Sequence, residues 1–377
     1  MTNELPLLDW NRLLSERNLA PLTNSFPPIH DARTILVTGA GGSIGSALVR
    51  SIATEAPKLL VLLDHSEQNL YEIESALSAF SPTPTFLAVL GDTADRDLIS
   101  SIFEEHRPSL VYHAAAFKHV PLMETNPIAA IRNNALATWH LARLAAEHKI
   151  PRFLLISTDK AANPRSIMGA SKRLAELAVL RWNSDRATCS AIRLGNVLGS
   201  HGSVVPLFLR QIEQRKNLTV THREVSRYFL TMDETVRHIF RVALLSDGGG
   251  LFLPEMGAPV PIHILASRLL ELTAESGTQT SIIEFTGLRP GDKLTEDLLA
   301  QTESVEPTFE PGIQKIVGAP VSSEALDAAF DAIAMHARTR DLSSLLDAVR
   351  EVIPEYQPSA ELLERAALSL TNSSSHD

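Results

Sequence analysis

From residue 34 onward, short apolar runs alternate with longer segments in which apolar residues return every three or four positions. Residues 34–38 (TILVT), 59–63 (LLVLL), 85–90 (TFLAVL), 110–113 (LVYH) and 153–157 (FLLIS) read as strands, because each is a compact apolar run bounded by turn-forming residues. Behind each comes a stretch with helical period: 44–53, 68–80, 95–106, 129–147 and 168–182. Strands that are apolar throughout, rather than on alternate positions, are buried on both faces. Such strands interleaved with helices form a parallel sheet covered on both sides. The pattern therefore predicts an α/β fold with a doubly wound parallel sheet over residues 34–194.

After residue 194 the rhythm loosens, and residues 195–205, 221–229 and 287–293 gather glycine, proline and basic side chains. This predicts a smaller, interleaved substrate-binding lobe from residues 195–225 and 256–320, with residues 226–255 returning to the sheet domain. Two or three helices are expected between 322 and 367, within a C-terminal region spanning 321–377. The final LTNSSSHD reads as a disordered tail. Residues 1–33 are rich in proline and polar residues, with one amphipathic piece over 7–14. They read as an arm that packs on the body or on a neighbouring subunit.

Composition narrows the class without changing the picture. The chain has 377 residues, 44% hydrophobic and 21% charged, which is ordinary for a globular protein with a sizeable core. Cys189 is the only cysteine, so neither a disulfide framework nor a thiolate metal site is expected. A reducing, cytoplasmic setting agrees with that. The formal net charge is −10 and no basic run breaks it, which argues against nucleic acid as a partner. The start, MTNELPLLDW, is too polar for a signal peptide. No apolar stretch reaches the roughly 18 residues of a membrane span.

Chemistry enters at the first strand. Residues 35–45, ILVTGAGGSIG, run from strand through a glycine-rich turn into a helix. Gly39, Gly42 and Gly45 allow a tight turn and close approach of a pyrophosphate, which Ser43, Ile44 and the free N–H groups of the helix start would receive. Position after the first strand is the context a Rossmann-type dinucleotide site requires. Asp64 closes the second strand, where a carboxylate accepts hydrogen bonds from ribose hydroxyls and repels a 2′-phosphate. His65, Ser66 and Glu67 follow it, with no arginine to pair such a phosphate. The expected cofactor is NAD rather than NADP. Capping of the next helix is the structural alternative for Asp64. Asp92, after the third strand, suits an adenine amino group or an ordinary turn.

The most informative segment is 157–172, STDKAANPRSIMGASK. It begins where the fifth strand ends, the place at which open α/β sheets bind ligands. Met168 and Lys172 have the spacing that puts two side chains on one helix face. Short-chain dehydrogenases carry Tyr-x-x-x-Lys there, so the tyrosine is missing. With that departure, the sequence resembles the UDP-N-acetylglucosamine 4,6-dehydratase family, the CapD-like polysaccharide-biosynthesis branch of the extended short-chain dehydrogenases. Some of its members carry methionine in place of tyrosine. The resemblance runs from about residue 34 to 299 through ordered blocks: TGAGGSIGS, LLDHSE, HAAAFKHVPLME, STDKAANPRSIMGASKRLAE, RLGNVLGSHGSVVPLF, SRYFLT and GLRPGDKL. The polar start gives no expectation of the membrane-spanning N-terminal region carried by the large members.

The resemblance implies a reaction. Hydride passes from sugar C4 to NAD, the C5 proton and C6 hydroxyl are eliminated, and hydride returns to C6 to give a 4-keto-6-deoxy sugar. Thr158, Asp159 and Lys160 match the triplet that carries the elimination, with Lys160 as base and Asp159 as acid. A base at Lys160 has to be neutral, although free lysine titrates near 10.4; burial or a nearby cationic Lys172 would lower it. Lys172 is expected on the nicotinamide ribose. Methionine cannot take the C4 hydroxyl proton, which leaves Thr158, Asp159 or a bound water. Core packing is the plain alternative for Met168. Ala114, Lys118 and His119 fall in a block near the nicotinamide and sugar, and Asn134 matches a structural helix asparagine. Asn196 should contact the nucleotide sugar, while Arg227 and Arg289 have the fork geometry for the diphosphate of a UDP-amino sugar. A homo-oligomer is expected of the family. The rival readings are a C5-inverting or exo-glycal-forming dehydratase, a 4-epimerase, or a sensor that binds without turnover.

Overall fold

The computed structural model describes residues 10–17, 28–184, 187–245, 248–273 and 281–373. The predicted strands fall at Thr34–Thr38 (β1), Leu59–Asp64 (β2), Phe86–Leu90 (β3), Leu110–His113 (β4) and Arg152–Thr158 (β5), followed by Thr188–Leu194 (β6). They form the centre of a nine-stranded sheet in which β3, β2, β1, β4, β5 and β6 lie in that order, and Gly250–Pro254 adds beyond β6. All of these pairings are parallel. The fold is the doubly wound α/β type expected from the pattern. Every residue of β1 and β4 is buried, since helices lie over both faces, and each fully buried Leu or Ile is worth about 1.5–3 kcal/mol over its exposed form.

The strand order reverses between β1 and β4. Chains leaving the carboxyl ends of those two strands turn in opposite directions, which opens the crevice where ligands bind in such sheets.

Two antiparallel strands, Ile313–Val317 and Ser304–Pro307, complete the sheet beyond Gly250–Pro254. Residues 304–317 had been expected in the lobe. Only Ile313 and Ile316 of the inner strand are buried, so its apolar signal is too thin to mark a sheet strand in sequence. A separate core of Leu198, Val205, Phe208, Leu218 and Leu265 lies outside the sheet. Here the helices Val204–Glu213 and Ile262–Thr273 pack with the parallel strand pair Leu218–Val220 and Ile283–Phe285. Leu13 and Leu14 of the N-terminal arm join this core, and Arg17 holds Glu234 through two hydrogen bonds of 2.6 and 2.7 Å. The described part of the arm thus packs on the body; residues 7–9 of the amphipathic piece lie outside the described residues.

The single helix expected over 129–147 is instead a helical run with a π-helical stretch, Ile131–Leu136, ahead of Ala137–Glu147. Three C-terminal helices follow the sheet, Ser323–Thr339, Leu342–Val352 and Ala360–Ser373. The last takes in the first residues of the tail expected to be disordered, while 374–377 lie outside the described residues. These helices share a second core with Met123, Ile131, Met168 and Leu174, centred on Phe330 stacked on Trp139 at 4.1 Å. Among the described residues no helix is long and apolar enough to cross a membrane.

Candidate active site

The glycine turn is shaped by what a side chain would hit. Gly39 has φ +65°, and a Cβ there would sit 2.7 Å from the backbone nitrogen of Ala115. At Gly45 it would lie 1.9 Å from the Gly39 carbonyl oxygen. Gly42 caps the helix Ser43–Ala53 without offering a side chain to its first N–H groups, so those donors face the crevice uncapped, as an anion site requires. Gly45→Ala should force this turn apart at a cost of about 1–3 kcal/mol of overpacking strain; an unchanged denaturant midpoint would contradict the crowding seen here.

Asp64 reaches the same turn. One carboxylate oxygen accepts from Gly41 N and the other from Ser66 N, both at 2.9 Å. The cap of the next helix is Ser66, whose hydroxyl accepts from Asn69 N, so Asp64 is not the helix cap. Ala114 N donates to Thr38 O beside the turn. Asp92 is exposed and accepts from Ala94 N in a local turn. It also borders a cavity of about 610 Å³ that reaches Phe117, Arg132, Arg340 and Arg365. Ile44 packs on the main core. Ser43 Oγ is bonded to His201, 2.9 Å from the ring Nδ1 and 3.0 Å from the backbone N, so a loop from beyond β6 touches the turn.

At the end of β5 three candidate residues form one hydrogen-bonded chain. Thr158 Oγ1 donates to Asp159 Oδ1 at 2.9 Å, and Lys160 Nζ donates to the same oxygen at 3.0 Å. Lys160 Nζ also donates to Asn196 Oδ1 at 2.9 Å. Asp159 is completely buried, and its other oxygen has no protein partner. The carboxylate therefore meets the crevice only through the Thr158 hydroxyl and the Lys160 amine.

The expectation that burial or Lys172 would lower Lys160 is corrected here. Burial does pull its pKa down, but the carboxylates of Asp159 and Glu296 outweigh it and hold the amine above the ordinary lysine range. It is Lys172 that burial pushes down, to about 8. Its Nζ donates to Ile156 O at 2.8 Å. Met168, one turn earlier on the same face, is buried in the second core.

Asn134 sits in the π-helical stretch, where such local unwinding re-aims side chains. It accepts from Phe117 N and donates to Phe117 O and Ser171 Oγ. The segment carrying Lys118 and His119 is thereby pinned to the helix that carries Met168 and Lys172. Both Lys118 and His119 are exposed, and the His119 ring lies against Gly202, where a Cβ would approach within 2.4 Å. Behind them a buried relay runs from Thr38 Oγ1 to His113 and on to Thr138 Oγ1, at 2.7 and 2.8 Å. Burial pushes His113 down to about 3, so from the end of β4 it is a neutral link between β1 and the helix Ala137–Glu147.

Arg227 joins the Lys160 cluster through Glu296, whose Oε1 lies 3.5 Å from both Lys160 Nζ and Arg227 Nε. Its Nη1 donates to the carbonyls of Ser226 and Leu294. Arg289 makes none of these contacts; it is largely exposed and pairs with Asp292 at 2.9 Å. Sequence reasoning passed over Glu296, which follows closely on the GLRPGDKL block, and its only signal was a carboxylate three residues after Lys293. It also passed over Glu176 and Glu303, which clasp the buried Arg193.

The model of the polysaccharide biosynthesis protein family matches residues 35–317. This chain belongs to that family. As a polysaccharide biosynthesis protein it is 46% identical over 274 residues to the capsular polysaccharide biosynthesis protein CapD of Staphylococcus aureus, a match covering 72% of this chain and 46% of CapD. The chain thus spans about half the length of that relative. The CapD-like branch expected from the sequence is the one found. Among solved structures, Pen from Bacillus thuringiensis superposes with a TM-score of 0.70 at 25% identity, over 79% of this chain and 97% of Pen. DesIV from Streptomyces venezuelae, a dTDP-glucose 4,6-dehydratase with NAD and TYD bound, has a TM-score of 0.61 at 22% identity, over 70% of this chain and 88% of its own.

Proposed function

We propose that this polysaccharide biosynthesis protein is an NAD-dependent nucleotide-sugar 4,6-dehydratase, acting on UDP-N-acetylglucosamine or a close UDP-amino sugar. The observation that carries the reading is the Thr158–Asp159–Lys160 chain at the end of β5, with methionine at 168. The crowded glycine turn, the uncapped helix start and Asp64 fit a dinucleotide without a 2′-phosphate, and DesIV carries NAD on the same fold. NAD, when bound, would supply the acceptor for hydride from C4 and its donor to C6.

The side chains account for the protons. The C4 hydroxyl gives its proton to Thr158 Oγ1, whose own proton moves to Asp159 Oδ1 along the 2.9 Å contact. This route takes the place of the missing tyrosine. Neutral Asp159 then returns a proton, through Thr158, to the C6 hydroxyl as it leaves with its bonding pair as water. Lys160, after losing a proton to solvent, removes the C5 proton and, as an ammonium that exchanges with solvent, delivers a proton to C5 after hydride has reached C6. General acid and base each contribute about 10²–10⁴-fold in such a reaction. Lys172 keeps the crevice positive, while Asn196, Arg227 and Arg289 bind the nucleotide sugar.

Purified protein incubated with UDP-N-acetylglucosamine in heavy water, followed by proton NMR, tests this. The expected product is a 4-keto-6-deoxy sugar carrying deuterium at C5. Loss of water with an inverted C5 moves the reading to the inverting dehydratases, and inversion at C4 without loss of water to the epimerases. An unchanged sugar in the presence of bound NAD overturns it for this substrate.

A further inference from the structure

Glu296 is buried and faces three cations contributed by three separate segments. Its Oε1 is 3.5 Å from Lys160 Nζ and from Arg227 Nε, and its Oε2 is 3.9 Å from Lys293 Nζ. A carboxylate taken out of water is tolerated only with such partners. The charged groups facing Lys160 are Asp159 on its own segment, then Glu296 and Arg227 from the lobe side, with Tyr228 beside Asp159. Asp159 and Asn196 accept hydrogen bonds from the ammonium, and Glu296 adds an ion pair at 3.5 Å.

The proposed reaction changes this set. When Asp159 takes up the C4 hydroxyl proton it becomes neutral, and Glu296 is then the one carboxylate among the described residues that still holds Lys160. Loss of Asp159's charge loosens the proton on the lysine just before the lysine must act as base. What remains is fixed by Glu296, itself partly neutralised by Arg227.

We propose that Glu296 is a positioning residue of the elimination centre: shared between Lys160 and Arg227, it holds the lysine amine in place while Asp159 is neutral and sets the pH at which that amine becomes a base. The inference rests on the reading of Lys160 as the C5 base.

The test is the titration of Lys160, followed at its ¹³Cε resonance in lysine-labelled holoenzyme and assigned by its absence from Lys160→Arg. In Glu296→Gln, which keeps shape and removes charge, the midpoint should fall by about one unit, since an opposite charge at this range shifts a pKa by about 1–3. The acid limb of kcat/KM should move to lower pH by the same amount. Glu296→Asp, which keeps the charge on a shorter stem, should restore most of both shifts. A Lys160 midpoint identical in the parent and Glu296→Gln overturns the inference, as does a fall that Glu296→Asp leaves unrestored. Should the parent form no product from the UDP-sugar, the reading of Lys160 as base fails by itself, while the resonance still reports on Glu296.

Discussion

Lys160→Met should lower the rate of dehydration by about 10²–10⁴-fold, the contribution of one positioned general base. The variant keeps an unbranched side chain of similar reach but cannot take the C5 proton. It leaves Thr158 and Asp159 in place, so the C4 hydroxyl can still be oxidised. The enzyme should then stall after the first hydride transfer, and the absorbance of reduced nicotinamide should rise on adding sugar and stay. That accumulation separates a lost base from a lost binding contact, which would leave the cofactor oxidised. Removing the ammonium also strips a partner from Asp159 and Glu296, so the loss of stability is measured alongside. Dehydration within a few-fold of the parent rate would remove Lys160 from the mechanism.

The second large effect is on stability. Arg193 is fully buried between Glu176 and Glu303, with four guanidinium–carboxylate bonds of 2.6–2.9 Å. Arg193→Met would leave these two buried carboxylates with Arg173 as their remaining cation, and breaking a buried pair by removing one partner costs up to about 3–5 kcal/mol. Denaturant unfolding should show the unfolding free energy falling by up to that amount and the midpoint with it, whereas Glu176→Gln, Arg193→Met and Glu303→Gln together should recover part of it. Burial pushes the Glu176 carboxyl up, but Arg193 outweighs it and holds it below the usual range. The stabilisation from Glu176 is therefore present above its unfolded pKa near 4.5 and fades as pH falls through the lower folded value. A midpoint within experimental error of the parent would refute the ledger. The network also bears on the site, because Glu176 lies one turn after Lys172 and accepts from Ser157, the residue before Thr158.

The sheet was legible because parallel strands buried on both faces leave unbroken apolar runs, and β1, β2, β4 and β5 do so. Their ends then placed Gly39, Asp64 and Thr158 on one side. The antiparallel edge was not legible, since its inner strand buries two residues and its outer strand none, and such strands resemble loops in sequence. Local chemistry at Thr158–Lys160 could be read from residue types, but its protonation could not. Lys160 owes its raised pKa to Asp159 beside it and also to Glu296, distant in sequence and brought near by tertiary packing alone. The same holds for Arg227, which sequence presents as a free phosphate ligand and the fold engages with Glu296 and two carbonyls.

The stack of Phe330 on Trp139 carries one more consequence. The stretch by which the family is recognised stops at residue 317, yet Leu326, Phe330, Ile333, Leu345 and Val349 form one half of the core whose other half includes Met168 and Leu174. Neither half can hide its apolar surface alone. Recognition and packing thus have different borders: the segment that announces the chemistry is shorter than the core that supports it, and the helix bearing Lys172 is packed in part by residues outside the recognised stretch.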